Sequence, residues 1–235
     1  MTAYFIPASV LNIVLPGEEV LALLLPELTA ENALIFRITH RDNLSWILDN
    51  GIWCRNSTKQ DPNFVNIGLV ELIDKRKTWP VPVPPKGTLG DYIPFYFTPR
   101  SMMAFNIHTG RSVPQRDNDQ ILILVSSLTK LSKDQIQFVI TDRHACANQT
   151  NYSGDIAHLN NIDWTILQNS DFRRNNDDLD KTNRYMAEAL VHDQIPVESL
   201  LYVACCDEKQ KSLIDTLIAK RGLKLQTQVK RGWYF

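Results

Sequence analysis

Alternation between apolar and polar positions gives the first structural signal in this chain. Residues 33–40 alternate in this way and are rich in β-branched and aromatic side chains, which predicts a strand. Residues 42–50 open on Asp42, a good helix-capping residue, and space their leucine and isoleucine side chains along one helical face before Gly51, where a helix commonly stops. The pattern therefore predicts a strand that leads directly into a short helix.

A near-continuous apolar run over residues 120–125 predicts a strand that is buried on both faces at the centre of a sheet. Shorter β-favouring runs predict strands over residues 137–141 and 200–204, and helical spacing of apolar residues predicts a helix over residues 212–221. The last residues, 223–235, indicate an edge strand or a strand pair. The absence of a repeating strand–helix–strand pattern and of Gly-x-Gly-x-x-Gly argues against a doubly wound dinucleotide fold.

Two long polar segments separate these elements. The first, residues 54–86, has four prolines near its end, which disfavour a helix there and favour an extended connector. It is either a functional loop or a surface excursion. The second, residues 146–182, is rich in asparagine and aspartate and is either a binding lid or a disordered linker. We favour the lid, because Trp164 and Phe172 can anchor it.

Residues 1–33 are predicted to form an N-terminal appendage packed on a single domain that spans residues 34–235. The partly apolar stretch over residues 13–28 is interrupted by two prolines and an acidic pair, well short of the roughly 20 apolar residues that a membrane span needs. A short amphipathic helix over residues 17–25, closed by Pro26, fits this pattern better. No contact with a membrane is therefore expected.

Composition and motifs narrow the chemistry. The formal net charge of the 235 residues is −1, so contact with a polyanion requires a local basic patch. The four cysteines lack metal-ligand spacing, and with no secretory leader in view they indicate a reducing compartment, the cytoplasm. Since His-Glu-x-x-His, Cys-x-x-Cys, Gly-x-Ser-x-Gly and a glycine-rich phosphate loop are also missing, we expect metal-free chemistry based on charge and geometry.

The residues that could carry such chemistry are Arg37, His40, Arg76, Tyr92, Tyr96, His144 and Glu188. Glu188 interrupts an apolar run and is either a partly desolvated general base or a solvated glutamate at the edge of an element. Arg76 lies in a mixed-charge stretch that is either a solvated helix or a site for a pyrophosphate, which a planar guanidinium binds well. Spacing alone leaves these alternatives open, and the same holds for the two histidines.

Five blocks of sequence carry a more specific signal. They are residues 36–44, Ile67-Gly68 with Arg76 behind it, residues 91–102, residues 141–145 and residues 187–192. The most specific part is Asp-Tyr-Ile-Pro-Phe-Tyr-Phe at residues 91–97. Together the blocks resemble the DarT family, bacterial toxins that ADP-ribosylate DNA bases with NAD. The resemblance extends in order from about residue 36 to about residue 203, most of the chain.

The resemblance implies an α+β fold with an ADP-ribosyltransferase-like split sheet, antiparallel or mixed, and flanking helices. It implies that NAD is a co-substrate, that no metal takes part, and that the segment over residues 61–78 folds over the nucleotide. Arg76 and Glu188 would be catalytic, with the glutamate stabilising the oxocarbenium-like centre formed when nicotinamide leaves. The residues implied to contact NAD are Arg37, Ile38, Thr39, His40, Tyr96 and His144.

By the same resemblance the acceptor is a thymine or guanine base of single-stranded DNA, since a duplex would shield the base. Residues 144–188 would select the substrate, with DNA contacts from Arg173, Arg174 and Arg184; an exposed charged loop is the alternative. A cognate antitoxin with macrodomain-type ADP-ribosyl hydrolase activity is also implied. Two other functions stay open: an ADP-ribosyltransferase or NAD glycohydrolase acting on protein, RNA or water, and a non-catalytic nucleotide-binding module.

Overall fold

An eight-stranded sheet runs through the part of the chain that the computed structural model describes, residues 25–235. Its strands are β1 (Leu34–His40), β3 (Tyr92–Tyr96), β4 (Ile121–Ser127), β5 (Phe138–Thr141), β6 (Tyr152–Ser153), β7 (Glu188–His192), β9 (Tyr202–Cys205) and β10 (Gln226–Val229). A small second sheet pairs β2 (Ile52–Trp53) with β8 (Gln194–Ile195). The spatial order of the large sheet is β10-β9-β4-β1-β3-β7-β5-β6, with β10 parallel to β9 and the other pairings antiparallel.

Between residues 25 and 235 the sheets are accompanied by the helices α1 (Leu44–Asn50), α2 (Val70–Thr78), α3 (Met102–Thr109), α4 (Leu128–Lys133), α5 (Trp164–Gln168), α6 (Lys181–Tyr185) and α7 (Glu208–Ala219). Helix α1 ends at Gly51, whose φ of 77° lies in the glycine-favoured region. Helix α7 begins before the predicted residue 212, because Asp207 caps it by accepting a hydrogen bond from the Gln210 amide. Among these helices, none has the length and apolar character to cross a bilayer.

The strand predictions are confirmed where burial dictates the sequence pattern. All seven residues of β4 are buried, and the strand lies between β1 and β9, as its continuous apolar character predicted. The strands predicted over residues 33–40, 137–141 and 200–204 are found as β1, β5 and β9. Residues 223–235 contribute one edge strand, β10. The mixed sheet with flanking helices confirms the predicted α+β class.

The two long polar segments contain more regular structure than their composition predicts. The first carries α2 ahead of its prolines, and the second contains β6 and α5. Trp164 packs edge-on against Phe97 with ring centroids 5.6 Å apart, and Phe172 packs against Phe105 at 5.3 Å. The second segment is therefore anchored on the core by the two aromatic residues that the sequence singled out.

Residues 25–33 are the described part of the predicted N-terminal appendage. Leu25 and Leu28 are buried, and the Leu25 amide donates a hydrogen bond to the Gln168 carbonyl at 2.8 Å. This contact attaches the start of the described chain to the second polar segment. The helix predicted over residues 17–25 lies outside the described residues apart from Leu25, as does most of the appendage, so the division at residue 33 stays a prediction.

Candidate active site

A cavity of about 330 Å³ opens between β1, β3 and the segment that carries α2. This volume falls in the range of small-molecule binding sites, roughly 300–1,000 Å³. Strand β1 contributes Arg37, Ile38 and Thr39 to its wall, β3 contributes Tyr96, and α2 contributes Arg76. The fold thus brings these five predicted site residues to one cavity, together with the candidate Tyr92, whose hydroxyl donates to the Lys86 carbonyl.

Arg76 and Glu188, the predicted catalytic residues, are in direct contact. Arg76 Nη1 donates a hydrogen bond to Glu188 Oε1 at 3.2 Å, and Arg76 Nη2 lies 2.9 Å from Oε2. The two side chains are 12% and 1% exposed, so water is almost excluded from the pair. Arg76 belongs to the cavity wall, whereas Glu188 does not appear among the described residues that line it. The guanidinium therefore stands on the cavity side of the carboxylate.

The Arg76–Glu188 pair is held in its charged form. Burial opposes the charge on Glu188 most strongly, but Arg76, His144 and the Ala145 amide together lower the pKa of Glu188 below its usual value. The Ala145 N–H donates to Glu188 Oε1 at 2.9 Å. Burial also acts against the charge of Arg76, and the negative charge of Glu188 outweighs it, so the pKa of Arg76 is raised. Glu188 is consequently a carboxylate at neutral pH.

Arg37 and Tyr96 form the inner wall beside this pair. Arg37 Nη1 donates to the Pro94 carbonyl at 2.9 Å, and burial, together with the nearby charge of Arg76, lowers the pKa of Arg37 to about 10. Tyr96 lies opposite Glu188 in the β3–β7 register, and burial and the Glu188 charge raise its pKa to about 12. Both groups keep their protons at neutral pH, so the wall presents a cation and a hydroxyl donor.

The two predicted histidines lie near the cavity but are not among the described residues that line it. His40 Nδ1 accepts a hydrogen bond from the Asp42 amide at 3.2 Å, which caps a 3₁₀ turn. His144 is buried behind Glu188, its amide donates to the Asn183 carbonyl, and its Nδ1 has no hydrogen-bond partner within residues 25–235. Burial lowers the pKa of both imidazoles. The sequence identified their neighbourhood but not their orientation.

Asn43 fastens the segment over the cavity to β1, and sequence reasoning missed it. Its Nδ2 donates to Thr39 Oγ1 at 3.1 Å and to the Val65 carbonyl at 3.0 Å, while its Oδ1 accepts from the Val65 amide at 2.8 Å. Asn43 is 1% exposed, so these hydrogen bonds are shielded from water. Because Val65 is 22 residues away along the chain, no local pattern marks this contact.

Aromatic residues of the cavity were also missed: Trp46, Trp53 and Phe64. The Lys59 ammonium lies 5.0 Å from the centroid of the Trp53 ring, close enough for a cation–π contact. Phe64 is 41% exposed at the rim. Phe64 is a lone aromatic residue inside the first polar segment, and that was the signal available in the sequence. Together the three rings give the cavity a surface that suits a planar group.

The three arginines predicted to contact DNA have different surroundings. Arg173 and Arg174 are exposed on the segment between α5 and α6. Arg184 Nε lies 3.1 Å from Asp163 Oδ2, and its Nη2 lies 2.7 Å from Asp178 Oδ2. The hydrogen bonding that Arg184 donates to Asp178 is the largest of the influences that raise the pKa of Arg184. Arg184, just after the second polar segment, therefore links two separate parts of it through Asp163 and Asp178. A charge pattern alone does not reveal these ion pairs.

Residues 36–235 match the model of a family described as "ssDNA thymidine ADP-ribosyltransferase, DarT". A DNA ADP-ribosyl transferase of Escherichia coli O127:H6 is 47% identical over 209 residues, 88% of this chain and 96% of the relative. One from Thermus aquaticus is 34% identical over 204 residues, 86% of this chain and 89% of the relative.

Solved structures of Thermus sp. 2.9 DarT are similar in fold. The complex with ADP-ribosylated single-stranded DNA superposes with a TM-score of 0.80 and 28% identity, covering 87% of this chain and 97% of that chain. The complex with NAD⁺ gives a TM-score of 0.77 at 28% identity, covering 86% and 98%. In both comparisons the shared part spans most of each chain.

Proposed function

This chain belongs to the DarT family of single-stranded DNA ADP-ribosyltransferases, and from that membership we propose that it moves ADP-ribose from NAD onto a DNA base and releases nicotinamide. The observation that carries the proposal is the buried, charged Arg76–Glu188 pair at the wall of one cavity. The Thermus protein that resembles it has been solved with NAD⁺ and with ADP-ribosylated single-stranded DNA. These two complexes support the predicted co-substrate, NAD, and the predicted acceptor, single-stranded DNA.

The residues of the cavity fit NAD. Arg37 and Arg76 supply positive charge for a diphosphate, and Thr39 and Tyr96 supply hydroxyl groups for ribose or amide oxygens. The rings of Trp46, Trp53 and Phe64, which also line the cavity, suit a planar base. We propose Arg37, Ile38, Thr39 and Tyr96 as direct contacts of NAD. His40 and His144 were predicted alongside them, and since neither is among the described residues that line the cavity, we propose that they support its wall without direct contact with NAD.

Glu188 and Arg76 divide the catalytic work. When the glycosidic bond between ribose and nicotinamide in NAD breaks, nicotinamide leaves and the ribose carbon becomes electron-poor. Glu188, already ionised and shielded from water, would stabilise that positive charge and accept the proton released by the attacking base nitrogen. Arg76 would turn from Glu188 towards the anionic parts of the substrate, since its guanidinium stands on the cavity side of the carboxylate. Such a step exchanges one partner of the arginine for another.

For the acceptor we propose thymine, which the description of the matching family names, with guanine as the alternative outcome. Arg173 and Arg174 are proposed to contact the DNA backbone, because both are exposed on the segment that precedes Glu188. Arg184 was predicted to do the same. Its bonds to Asp163 and Asp178 favour a supporting role for that segment instead.

The cellular setting also belongs to this proposal. A transferase that modifies DNA bases would harm its own cell, so a cognate antitoxin with macrodomain-type ADP-ribosyl hydrolase activity and a cytoplasmic location are proposed, as the family likeness implied. Residues 1–33 are proposed to pack as an appendage on the catalytic domain over residues 34–235. The burial of Leu25 and Leu28 against the described domain supports this division.

Incubation with NAD labelled in its adenylate phosphate and with single-stranded oligonucleotides that differ by one base tests the proposal. We expect label on the thymine-containing oligonucleotide, identified at the base by mass spectrometry. The variant Glu188→Gln should lose transfer, while Glu198→Gln, a matched change at an exposed glutamate, should keep it. Label released only as free ADP-ribose would favour an NAD glycohydrolase, and binding of NAD without turnover would favour a non-catalytic module.

A further inference from the structure

Thr141, the last residue of β5, lies at the point where the backbone approaches Glu188. It is fully buried and pairs with Glu188 in the β5–β7 register. Its Oγ1 accepts a hydrogen bond from the Glu188 amide at 3.1 Å and donates one to the Arg143 carbonyl at 2.7 Å. One hydroxyl group thus holds the backbone of the proposed catalytic glutamate and the turn that follows β5.

That turn, residues 142–146, presents a backbone donor to the glutamate side chain. The Ala145 N–H donates to Glu188 Oε1 at 2.9 Å, and the Ala145 carbonyl accepts from the Tyr152 hydroxyl. The His144 carbonyl accepts from Thr150 Oγ1 at 2.9 Å. The Ala145 amide is therefore held from both sides, and the bond from Thr141 to the Arg143 carbonyl sets the direction in which the turn leaves the strand.

We propose that Thr141 is a positioning residue for the transfer reaction. Its hydroxyl fixes the start of β7 and the turn as one unit, so that the Ala145 N–H and the Arg76 guanidinium meet the same Glu188 carboxylate. The inference rests on the proposed function of Glu188, and the hydrogen bonds that carry it are those of Thr141 and Ala145 in this structure. Thr141 touches no substrate in this assignment; it acts through the placement of the carboxylate.

The placement has a measurable consequence for titration. The ionisable groups that face Glu188 are Arg76 on α2, Tyr96 on β3, His144 and Cys146 in the turn, and Tyr152 on β6. The Ala145 N–H adds to the charge of Arg76 in favouring the carboxylate. If the turn loses its direction, the carboxylate loses a hydrogen bond donor and the pKa of Glu188 rises.

The test compares Thr141→Val, which keeps the shape and removes the hydroxyl, with Thr141→Ser, which restores it. We expect kcat for transfer to DNA to fall about tenfold in T141V, with KM for NAD changed less than about twofold, and T141S to recover most of the loss. The acid limb of the kcat–pH profile should move to higher pH in T141V only. Thr141→Ala takes the place of T141V if that variant does not fold at the assay temperature.

Ser126→Ala is the matched control, because Ser126 carries a buried hydroxyl on β4 that donates to the Ser199 carbonyl at 2.6 Å, and β1 and β3 separate β4 from β7. It should lose stability without a change in kcat or in the pH profile. Equal losses of kcat in S126A and T141V, no recovery of kcat in T141S, or an acid limb that stays at the same pH in T141V would each overturn the proposal.

A second readout does not depend on turnover. The pKa of the Glu188 carboxyl can be followed by carbon-13 NMR, with its signal assigned from the spectrum of Glu188→Gln. We expect a higher pKa in T141V than in the wild type or T141S, and an unchanged value overturns the inference. If the wild type transfers no label to DNA, the proposed function fails, whereas the NMR comparison still decides whether Thr141 places the carboxylate.

Discussion

Replacement of Glu188 by glutamine should destabilise the fold as well as stop catalysis. The change leaves the Arg76 guanidinium, 12% exposed, beside a neutral amide that cannot offset its charge. Removal of one partner from a buried ion pair costs about 3–5 kcal/mol, and the residual exposure of Arg76 puts the expected loss at about 3 kcal/mol. In a chain of this length, about 3 kcal/mol corresponds to a fall in Tm of roughly 6–12 °C.

The companion change, Arg76→Met, fills similar space without charge and leaves Glu188 with the Ala145 amide as a remaining partner. We expect a loss of similar size. The double variant should be little less stable than either single variant, because the second change no longer strands a charge. The coupling free energy of the cycle is therefore expected to be about 2–3 kcal/mol.

Urea unfolding at pH 7.5, followed by circular dichroism, measures all four proteins of the cycle, with linear extrapolation giving each free energy of unfolding. Glu198→Gln, the same substitution at an exposed glutamate, should change stability by less than about 0.5 kcal/mol. Strictly additive losses in the double variant, or a Glu188→Gln protein as stable as this control, would show that the buried pair does not behave as one unit.

Burial lowers the pKa of His144 below 6.5, so at acid pH the unfolded chain binds more protons than the folded protein. The free energy of unfolding should therefore fall as the pH drops below about 6.5, and it should fall less steeply in His144→Gln. Urea unfolding at pH 7.5 and 5.5 measures this. Gly51→Ala should cost about 3 kcal/mol in the same assay, because its Cβ would lie 2.5 Å from the Ile195 carbonyl oxygen at a φ of 77°. Arg173→Ala should weaken single-stranded DNA binding and, at an exposed side chain, change stability by less than about 0.5 kcal/mol. Arg184→Ala should lower stability by about 1 kcal/mol; the reverse pattern in fluorescence anisotropy and thermal melts would reassign the two arginines.

Sequence patterns predict the strands and helices of this fold whose buried positions follow a regular pattern along the chain. Strand β4 is apolar at successive positions because both of its faces are covered, and its neighbour β1 is buried at five of its seven positions. Helix α2 gives no such signal, since none of its residues is fully buried and its charges match those of any solvated helix. The predicted roles of Arg76 and Glu188 therefore came from a family resemblance, and the direct contact between these two residues, 112 positions apart, came from the structure.

The arginines in and just after the second polar segment also show where sequence patterns stop being informative. A basic residue before Glu188 predicts a DNA contact or a solvated charge with equal ease. Asp163 and Asp178 reach Arg184 only after the segment folds back on itself, so the ion pairs are a product of tertiary structure. Asn43 is a further example, because its hydrogen bonds to Val65 join two segments that are separate in sequence.

The surface position of α2 has an evolutionary consequence. Since no residue of this helix is fully buried and Leu72 is the one that packs against the core, most neighbours of Arg76 can be replaced without disturbing the rest of the molecule. Substrate preference at the mouth of the cleft can therefore drift through single mutations, while the chemistry stays intact as long as one arginine is retained. Deep mutational scanning of residues 70–78 should show tolerance at every exposed site and strict intolerance at Arg76.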